Sequence, residues 1–110
     1  MSNTANLIDN SRPLDLICMG RVAVDFYAEQ VHSSLEDAQS FRKYLGGCAG
    51  NTAVGTARLG LKSAMFSCIG TDDMGVYLRN TLEKEGVDTS LLRNTPEHLT
   101  ALVLLGVNPP

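Results

Sequence analysis

The segment from Gly46 to Ala53, with the sequence GGCAGNTA, constrains this chain more than any other because it packs glycine among small side chains. Glycine adopts positive φ angles and has no Cβ, so it occurs where a chain bends sharply or where its N–H groups approach a ligand. Small, helix-compatible residues follow as far as Leu59, and Gly60 stands where a left-handed helix cap is expected. The segment predicts a ligand-cradling turn that leads into a buried, close-packed helix over 50–59.

The segments that flank this loop and helix predict β-strands. Leu14–Gly20 is an apolar run typical of a buried first strand, and 22–27 continues past Gly20 and places Asp25 just beyond the strand end. Residues 63–68, SAMFSC, predict a short apolar strand after the helix. Loop, helix, turn and strand form half of a βαβ unit, which indicates an α/β fold.

The loop resembles the first signature of the PfkB, or ribokinase-like, carbohydrate kinases. Over twenty-five residues its constrained positions are filled without a break by Gly46, Gly47, Ala49, Asn51, Ala53, Gly60 and Gly70. The resemblance implies a ribokinase-like α/β fold, of which this chain would be the N-terminal portion: a mainly parallel sheet flanked by helices, with a small β lid over about 22–45. It places the domain at 14–110, after a disordered tail over 1–13.

The resemblance also implies a sugar-binding site. In the family an aspartate at the place of Asp25 binds sugar hydroxyls, and a carboxylate suits this role because it accepts two hydrogen bonds from a vicinal diol. Gly46, Gly47 and Asn51 complete the predicted substrate-binding set. The alternative for Asp25 is a structural role, in which it only caps a turn or is solvated.

Arg42 and Lys43 lie on the predicted lid segment, next to the glycine loop. Either side chain is a candidate to meet an acidic group of a substrate. Exposed basic side chains are, however, more often simply solvated. The sequence leaves open which of the two residues, if either, has this role.

Four stretches, 20–27, 35–37, 40–47 and 57–62, resemble the 5-dehydro-2-deoxygluconokinase group of the family, the sugar-acid kinases of myo-inositol breakdown. This implies a parent enzyme that transfers the γ-phosphoryl group of Mg·ATP to a primary hydroxyl of 5-dehydro-2-deoxy-D-gluconate. A fructokinase-like or 2-keto-3-deoxygluconate kinase-like assignment stays open. The expected partner is a small sugar or sugar acid.

The family's catalytic base is an aspartate at the end of a second motif, Gly-x-Gly-Asp, which lies with the ATP site in the C-terminal part. The 110 residues lack this motif, so we assign no catalytic, cofactor-binding or metal-binding residue. We expect an N-terminal part of a longer kinase, unable by itself to bind Mg·ATP fully or to transfer phosphoryl groups. The alternative is a non-catalytic sugar-binding or oligomerisation module, a homo-oligomer formed through the lid or an exposed sheet edge.

The turn Gly70–Gly75 contains two adjacent carboxylates, a pattern also found in magnesium sites. We interpret it structurally, with Asp72 as the N-cap and Asp73 as a first-turn acid of a helix over about 73–85. The predicted apolar side of that helix consists of Val76, Leu78 and Leu82. The predicted outer side carries Arg79 and Glu83.

The continuous apolar run over 100–107 predicts a strand covered on both faces. Among the three cysteines, Cys18 and Cys68 are expected in the core, whereas Cys48 lies in the substrate loop. A net charge of −3 and an isoelectric point near 5.2 argue against nucleic acid or an anionic membrane as a partner. The polar N-terminus resembles neither a signal peptide nor a membrane span, which predicts a cytoplasmic protein.

Overall fold

The computed structural model describes residues 9–109, and within them the chain forms two three-stranded sheets and two α-helices. The elements run in the order β1 (Leu16–Met19), β2 (Ala23–Val31), a 3-10 helix (Leu35–Asp37), β3 (Phe41–Gly46), α1 (Cys48–Arg58), β4 (Ser63–Gly70), α2 (Asp73–Lys84), β5 (Leu92–Thr95) and β6 (Leu102–Val107). The main sheet has the order β1-β4-β5 and is entirely parallel. The lid sheet has the order β3-β2-β6. The predicted α/β class is confirmed.

The lid sheet begins where the chain leaves the main sheet at Gly20, whose φ of +147° is rarely adopted by other residues. β2 then pairs antiparallel with β3 and parallel with β6. Asp25 is therefore not a residue at a strand end, as expected, but the third residue of β2. The bend at Gly20 separates two strands that the sequence presents as one apolar run.

Helix α1 packs closely on β1 and β4 because its inner side carries almost no side-chain volume. Gly50 and Ala53 are its buried residues, and a Cβ at Gly50 would lie 2.9 Å from Cγ2 of Val22. The helix starts two residues earlier than predicted, at Cys48. Gly60 follows it with a φ of +95°, which confirms the predicted cap.

Helix α2 contributes Leu78 and Leu82 to the core, where both are fully buried. Val76, predicted on the same side, is 53% exposed, so that prediction is wrong. Arg79 was expected outside, but its guanidinium donates to the carbonyl oxygen of Leu92 at 2.7 Å and to Oδ1 of Asn94 at 2.5 Å. It thereby fastens α2 to β5.

Strand β6 corrects a second expectation. Its side chains are not covered on both faces, since Leu102 is 52% and Leu104 58% exposed. The reason is its position, because it forms an edge of the lid sheet instead of an inner strand of the main sheet.

The core lies between the helices and one face of the main sheet, where Cys18, Met65 and Ile69 are buried. Cys18 is a core residue, as predicted. Cys68 is exposed, contrary to prediction, because it alternates with Met65 and Ile69 along β4 and falls on the opposite face of the sheet.

The first eight residues of the predicted tail lie outside the described part of the chain. Residues 9–13 contain a turn in which Asp9 accepts a hydrogen bond from the N–H of Ser11, and the ammonium of Lys62 donates to the carbonyl oxygens of Asn10 and Arg12. Neither α1 nor α2 has the length and apolarity needed to cross a membrane, and the described residues contain no other α-helix.

Candidate functional site

The predicted sugar-binding aspartate lies on the hairpin formed by β2 and β3. Asp25 is opposite Tyr44, and Tyr27 is opposite Arg42. Residues directly opposite each other in an antiparallel pair project from the same face, and alternate residues of a strand do too. These four residues therefore occupy one face of the hairpin, which we call the Asp25 face.

Gly46 and Gly47, the first two glycines of the loop, have different structural roles. A Cβ built on Gly46 would occupy the position of the Asp25 carboxyl group, so only glycine lets this carboxylate lie against the backbone of β3. Gly47 is the N-cap of α1, with a φ of +91°, and a Cβ there would collide with the carbonyl oxygen of Arg21. Gly46 thus makes room for the carboxylate, whereas Gly47 turns the chain into the helix.

A cavity of about 420 Å³ opens beside this carboxylate and is lined by Asp25, Tyr27, Tyr44, Leu45 and Asn51. The structure thus brings together two of the predicted site residues, Asp25 from β2 and Asn51 from α1, with Gly46 directly behind the first. Gly47 does not line the cavity. The volume falls within the range typical of small-molecule sites.

The polar side chains of the cavity are available to a ligand. Within residues 9–109, the carboxylate of Asp25 and the side-chain amide of Asn51 have no hydrogen-bond partner. Asn51 uses its backbone N–H in α1, donating to the carbonyl oxygen of Gly47 at 2.9 Å. The carboxylate offers acceptors, while the amide offers both donors and an acceptor.

Two tyrosines of the cavity were not assigned a role from the sequence. The rings of Tyr27 and Tyr44 meet edge to face, with centroids 5.5 Å apart and planes at 84°. Their signal is the spacing of two residues between Asp25 and Tyr27, which places both on one face of a strand. The sequence does not reveal it because the prediction places Asp25 beyond the end of a strand, where this alternation does not apply.

The acidic turn at the start of α2 has the structural role predicted for it. Asp72 accepts hydrogen bonds from the backbone N–H groups of Thr100 and Gly75, each at 2.9 Å. These two contacts, that of Thr100 first, lower the pKa of the Asp72 carboxyl. The carboxylate is the N-cap of α2 and lies apart from the Asp25 cavity.

Among residues 9–109, no group of three or more His, Cys, Asp or Glu side chains is close enough to hold a metal ion. The sequence also lacks the Gly-x-Gly-Asp motif. The polar groups that the fold brings together at Asp25 and Asn51 suit a hydroxyl-rich ligand.

A family model for the pfkB family carbohydrate kinases matches residues 14–109. The chain belongs to this family. It is 45% identical over 82 residues to the 5-dehydro-2-deoxygluconokinase of Clostridium tetani, and the aligned region covers 74% of this chain and 24% of the relative. It is 34% identical over 103 residues to that of Geobacillus kaustophilus, covering 93% of this chain and 31% of the relative. This pfkB chain therefore spans about a quarter to a third of the length of these relatives.

Solved structures of sugar kinases share the fold. An uncharacterized sugar kinase from Pyrococcus horikoshii in complex with ATP matches with a TM-score of 0.80 and 34% identity, over 84% of this chain and 30% of that one. The fructokinase of Halothermothrix orenii matches with a TM-score of 0.79 and 31% identity, over 84% of this chain and 34% of that one. The predicted ribokinase-like family and fold are confirmed.

Proposed function

We propose that this chain forms the sugar-binding side of the active site of an ATP-dependent carbohydrate kinase. The observation that carries the proposal is the Asp25 carboxylate, which lies against Gly46 at the edge of a 420 Å³ cavity and has no hydrogen-bond partner among residues 9–109. The relatives named 5-dehydro-2-deoxygluconokinase support 5-dehydro-2-deoxy-D-gluconate as the substrate. The proposal includes a cytoplasmic enzyme of myo-inositol breakdown.

Each side chain of the cavity contributes to binding in a different way. The carboxylate of Asp25 accepts hydrogen bonds from two neighbouring hydroxyl groups, and a charged acceptor makes each bond stronger than a neutral one would. The amide of Asn51 binds a further hydroxyl as donor or acceptor. The rings of Tyr27 and Tyr44 provide an apolar surface for the C–H groups of the sugar.

Phosphoryl transfer requires the sugar hydroxyl to be held in line with the phosphoryl donor, which Mg·ATP supplies when bound. The cavity residues bind and orient the sugar. None of them is proposed as the catalytic base, because the proposed role of Asp25 is to accept hydrogen bonds from hydroxyl groups of the sugar. We therefore expect the 110-residue chain to bind sugar without phosphorylating it.

Isothermal titration of the chain with 5-dehydro-2-deoxy-D-gluconate tests the binding role. Asp25→Asn keeps the size of the side chain but removes its charge, and we expect affinity to fall about 10- to 100-fold, the range for losing hydrogen bonds to a charged group. The matched control is Asp73→Asn, on an exposed carboxylate in the first turn of α2, which should leave affinity unchanged. Equal affinity of Asp25→Asn and the unaltered chain would contradict the proposal.

A second candidate function is an oligomerisation module, and exposed apolar side chains favour it. Ile17 and Met19 are 52% and 75% exposed on β1, and Phe66 beside Met19 is 47% exposed. We propose self-association that covers such surface or pairs the free edges of the lid sheet. Light scattering checks this, since a monomer at all concentrations would exclude it.

A further inference from the structure

We propose that Arg42 binds the carboxylate of the sugar acid and thereby selects acids over neutral sugars. The inference deepens the proposed function, because it rests on sugar binding at Asp25. It resolves the choice between the two basic residues of the lid that the sequence leaves open.

The strand register places Arg42 on the same face as the cavity. It lies opposite Tyr27, two residues along the hairpin from the pair formed by Asp25 and Tyr44. Two residues of a strand span about 7 Å, which is within reach of an open six-carbon acid held at Asp25. The central guanidinium carbon lies 5.7 Å from the ring centroid of Tyr44, and Tyr44 itself lines the cavity. Arg42 itself lines a neighbouring cavity, but its contact with Tyr44 places it next to the Asp25 site.

Lys43 projects in the other direction. It is paired with Phe26, whose position on β2 alternates with those of Asp25 and Tyr27. Its ammonium nitrogen lies 4.6 Å from the ring centroid of Tyr77 on α2, a distance at which a cation is attracted to the ring. Lys43 is thus held against the helix and is directed away from the cavity.

The guanidinium of Arg42 is available and chemically suited to a carboxylate. It is exposed and makes no ion pair or hydrogen bond to any other residue within 9–109. Its planar fork of N–H donors matches the two oxygens of a carboxylate, and stacking on an aromatic ring leaves these donors free at the edge.

The charge distribution also orients the ligand. A sugar acid carries one negative charge, which is repelled by the carboxylate of Asp25 and attracted by Arg42. The hydroxyl end therefore faces Asp25, while the acid end faces Arg42. Neutral sugars gain the first contact without the second.

A matched pair of ligands tests this inference in the 110-residue chain. The probes are 5-dehydro-2-deoxy-D-gluconate and its carboxamide, which has the same shape without the charge. We expect the acid to bind about 10- to 100-fold more tightly than the carboxamide. Arg42→Gln should remove this preference by weakening the acid alone, and Arg42→Lys should retain part of it. Lys43→Gln is the matched control and should leave both affinities unchanged.

The outcomes separate the inference from the proposed function. Equal binding of acid and carboxamide, or an undiminished preference in Arg42→Gln, would overturn the role of Arg42 while leaving sugar binding at Asp25 intact. Loss of the preference in Lys43→Gln would also overturn it. Failure of both probes to bind the unaltered chain would overturn the proposed function and, with it, the inference.

Discussion

Two aspartates of this chain each lie against a glycine, yet they have opposite hydrogen-bonding states. A Cβ on Gly70 would lie 2.5 Å from Oδ2 of Asp72, and one on Gly46 would overlap the carboxyl group of Asp25. Asp72 has two backbone N–H donors at 2.9 Å, whereas Asp25 has none among residues 9–109. A glycine–aspartate contact is therefore a structural tie where backbone donors surround the carboxylate, and a candidate ligand site where a cavity replaces them.

The Asp72 contact ties the two sheets together. Thr100, which precedes β6 of the lid sheet, donates its N–H to Asp72, and its hydroxyl accepts a hydrogen bond from the N–H of Gly70 at 3.0 Å. Gly70 ends β4 of the main sheet. The end of β4, the start of α2 and the entry to β6 thus share one small network, which we call the Gly70 tie.

The largest expected effect is that of Gly70→Ala. The new methyl group would lie 2.8 Å from the carbonyl oxygen of His98 and from the backbone nitrogen of Thr100. Backbone atoms cannot relieve such a contact by a change of rotamer, as a side chain can. We expect a loss of about 3 kcal/mol or more in the free energy of unfolding, at the upper end for overpacking. Urea denaturation measures it. A smaller loss of the free energy of unfolding than that of Gly46→Ala would contradict the contrast between the Asp72 and Asp25 contacts.

Removal of the carboxylate in the Gly70 tie should have the next largest effect. Asp72→Ala leaves two backbone N–H groups without their acceptor and removes the N-cap of α2, which together cost about 2 kcal/mol. Asp25→Ala should leave the free energy of unfolding nearly unchanged. The same denaturation experiment compares them, and equal losses would show that Asp25 is structural too.

Acid should weaken the Gly70 tie selectively. The pKa of Asp72 is lowered in the folded protein, chiefly by the N–H of Thr100 and then by that of Gly75. Its stabilisation is therefore fully present above the unfolded pKa, about 3.9, and is lost as the pH falls through the lower folded value. The stability difference between the unaltered chain and Asp72→Ala should stay constant down to about pH 5 and then shrink. A difference that grows on acidification would contradict this assignment.

Gly46→Ala should reduce sugar affinity with only a small loss in the free energy of unfolding. The three atoms nearest to the new methyl group all belong to the carboxyl group of Asp25, a side-chain end that can rotate into the open cavity. We expect a loss of about 1 kcal/mol in the free energy of unfolding and at least about a 10-fold loss of sugar affinity, since the charged acceptor is displaced. Titration and denaturation of the same sample measure both. Unchanged affinity would argue against Asp25 as the ligand-binding group.

The smallest effect is expected at a glycine where an added Cβ would contact no other atom. Gly55 is exposed in the interior of α1, and a Cβ there would meet nothing within 4 Å. Gly55→Ala should stabilise the chain by about 0.5–1 kcal/mol, because alanine loses less backbone entropy than glycine in a helix. A rise in melting temperature with unchanged sugar affinity is the expected result, and a fall would indicate a hidden contact.

Local signals made much of the fold predictable. The cap at Gly60, the N-cap at Asp72 and the small residues of α1 act within a few residues of their own position, so the sequence identified both helices and the strand between them. The N-cap role of Asp72 in the acidic turn was also predictable, because an N-cap depends only on the helix that follows it.

Long-range pairing accounts for what the sequence did not reveal. The apolar run of β6 suits an inner strand of the main sheet as well as an edge of the lid sheet, and only its pairing with β2, far back in the chain, decides between them. Likewise, helical spacing cannot show that Arg79 reaches Leu92 and Asn94 on another element. Alternation along a strand separates Arg42 from Lys43, but the register of β2 and β3 is needed to show which of them shares the face of Asp25.

A two-dimensional NMR titration of the 110-residue chain with 5-dehydro-2-deoxy-D-gluconate tests the central contrast most directly, because backbone amide signals report on both aspartates at once. We expect concentration-dependent shifts at Asp25, Tyr44 and Asn51, with the signals of the Gly70 tie at 70–75 and Thr100 unchanged. Shifts centred on 70–75 with none around Asp25 would contradict it.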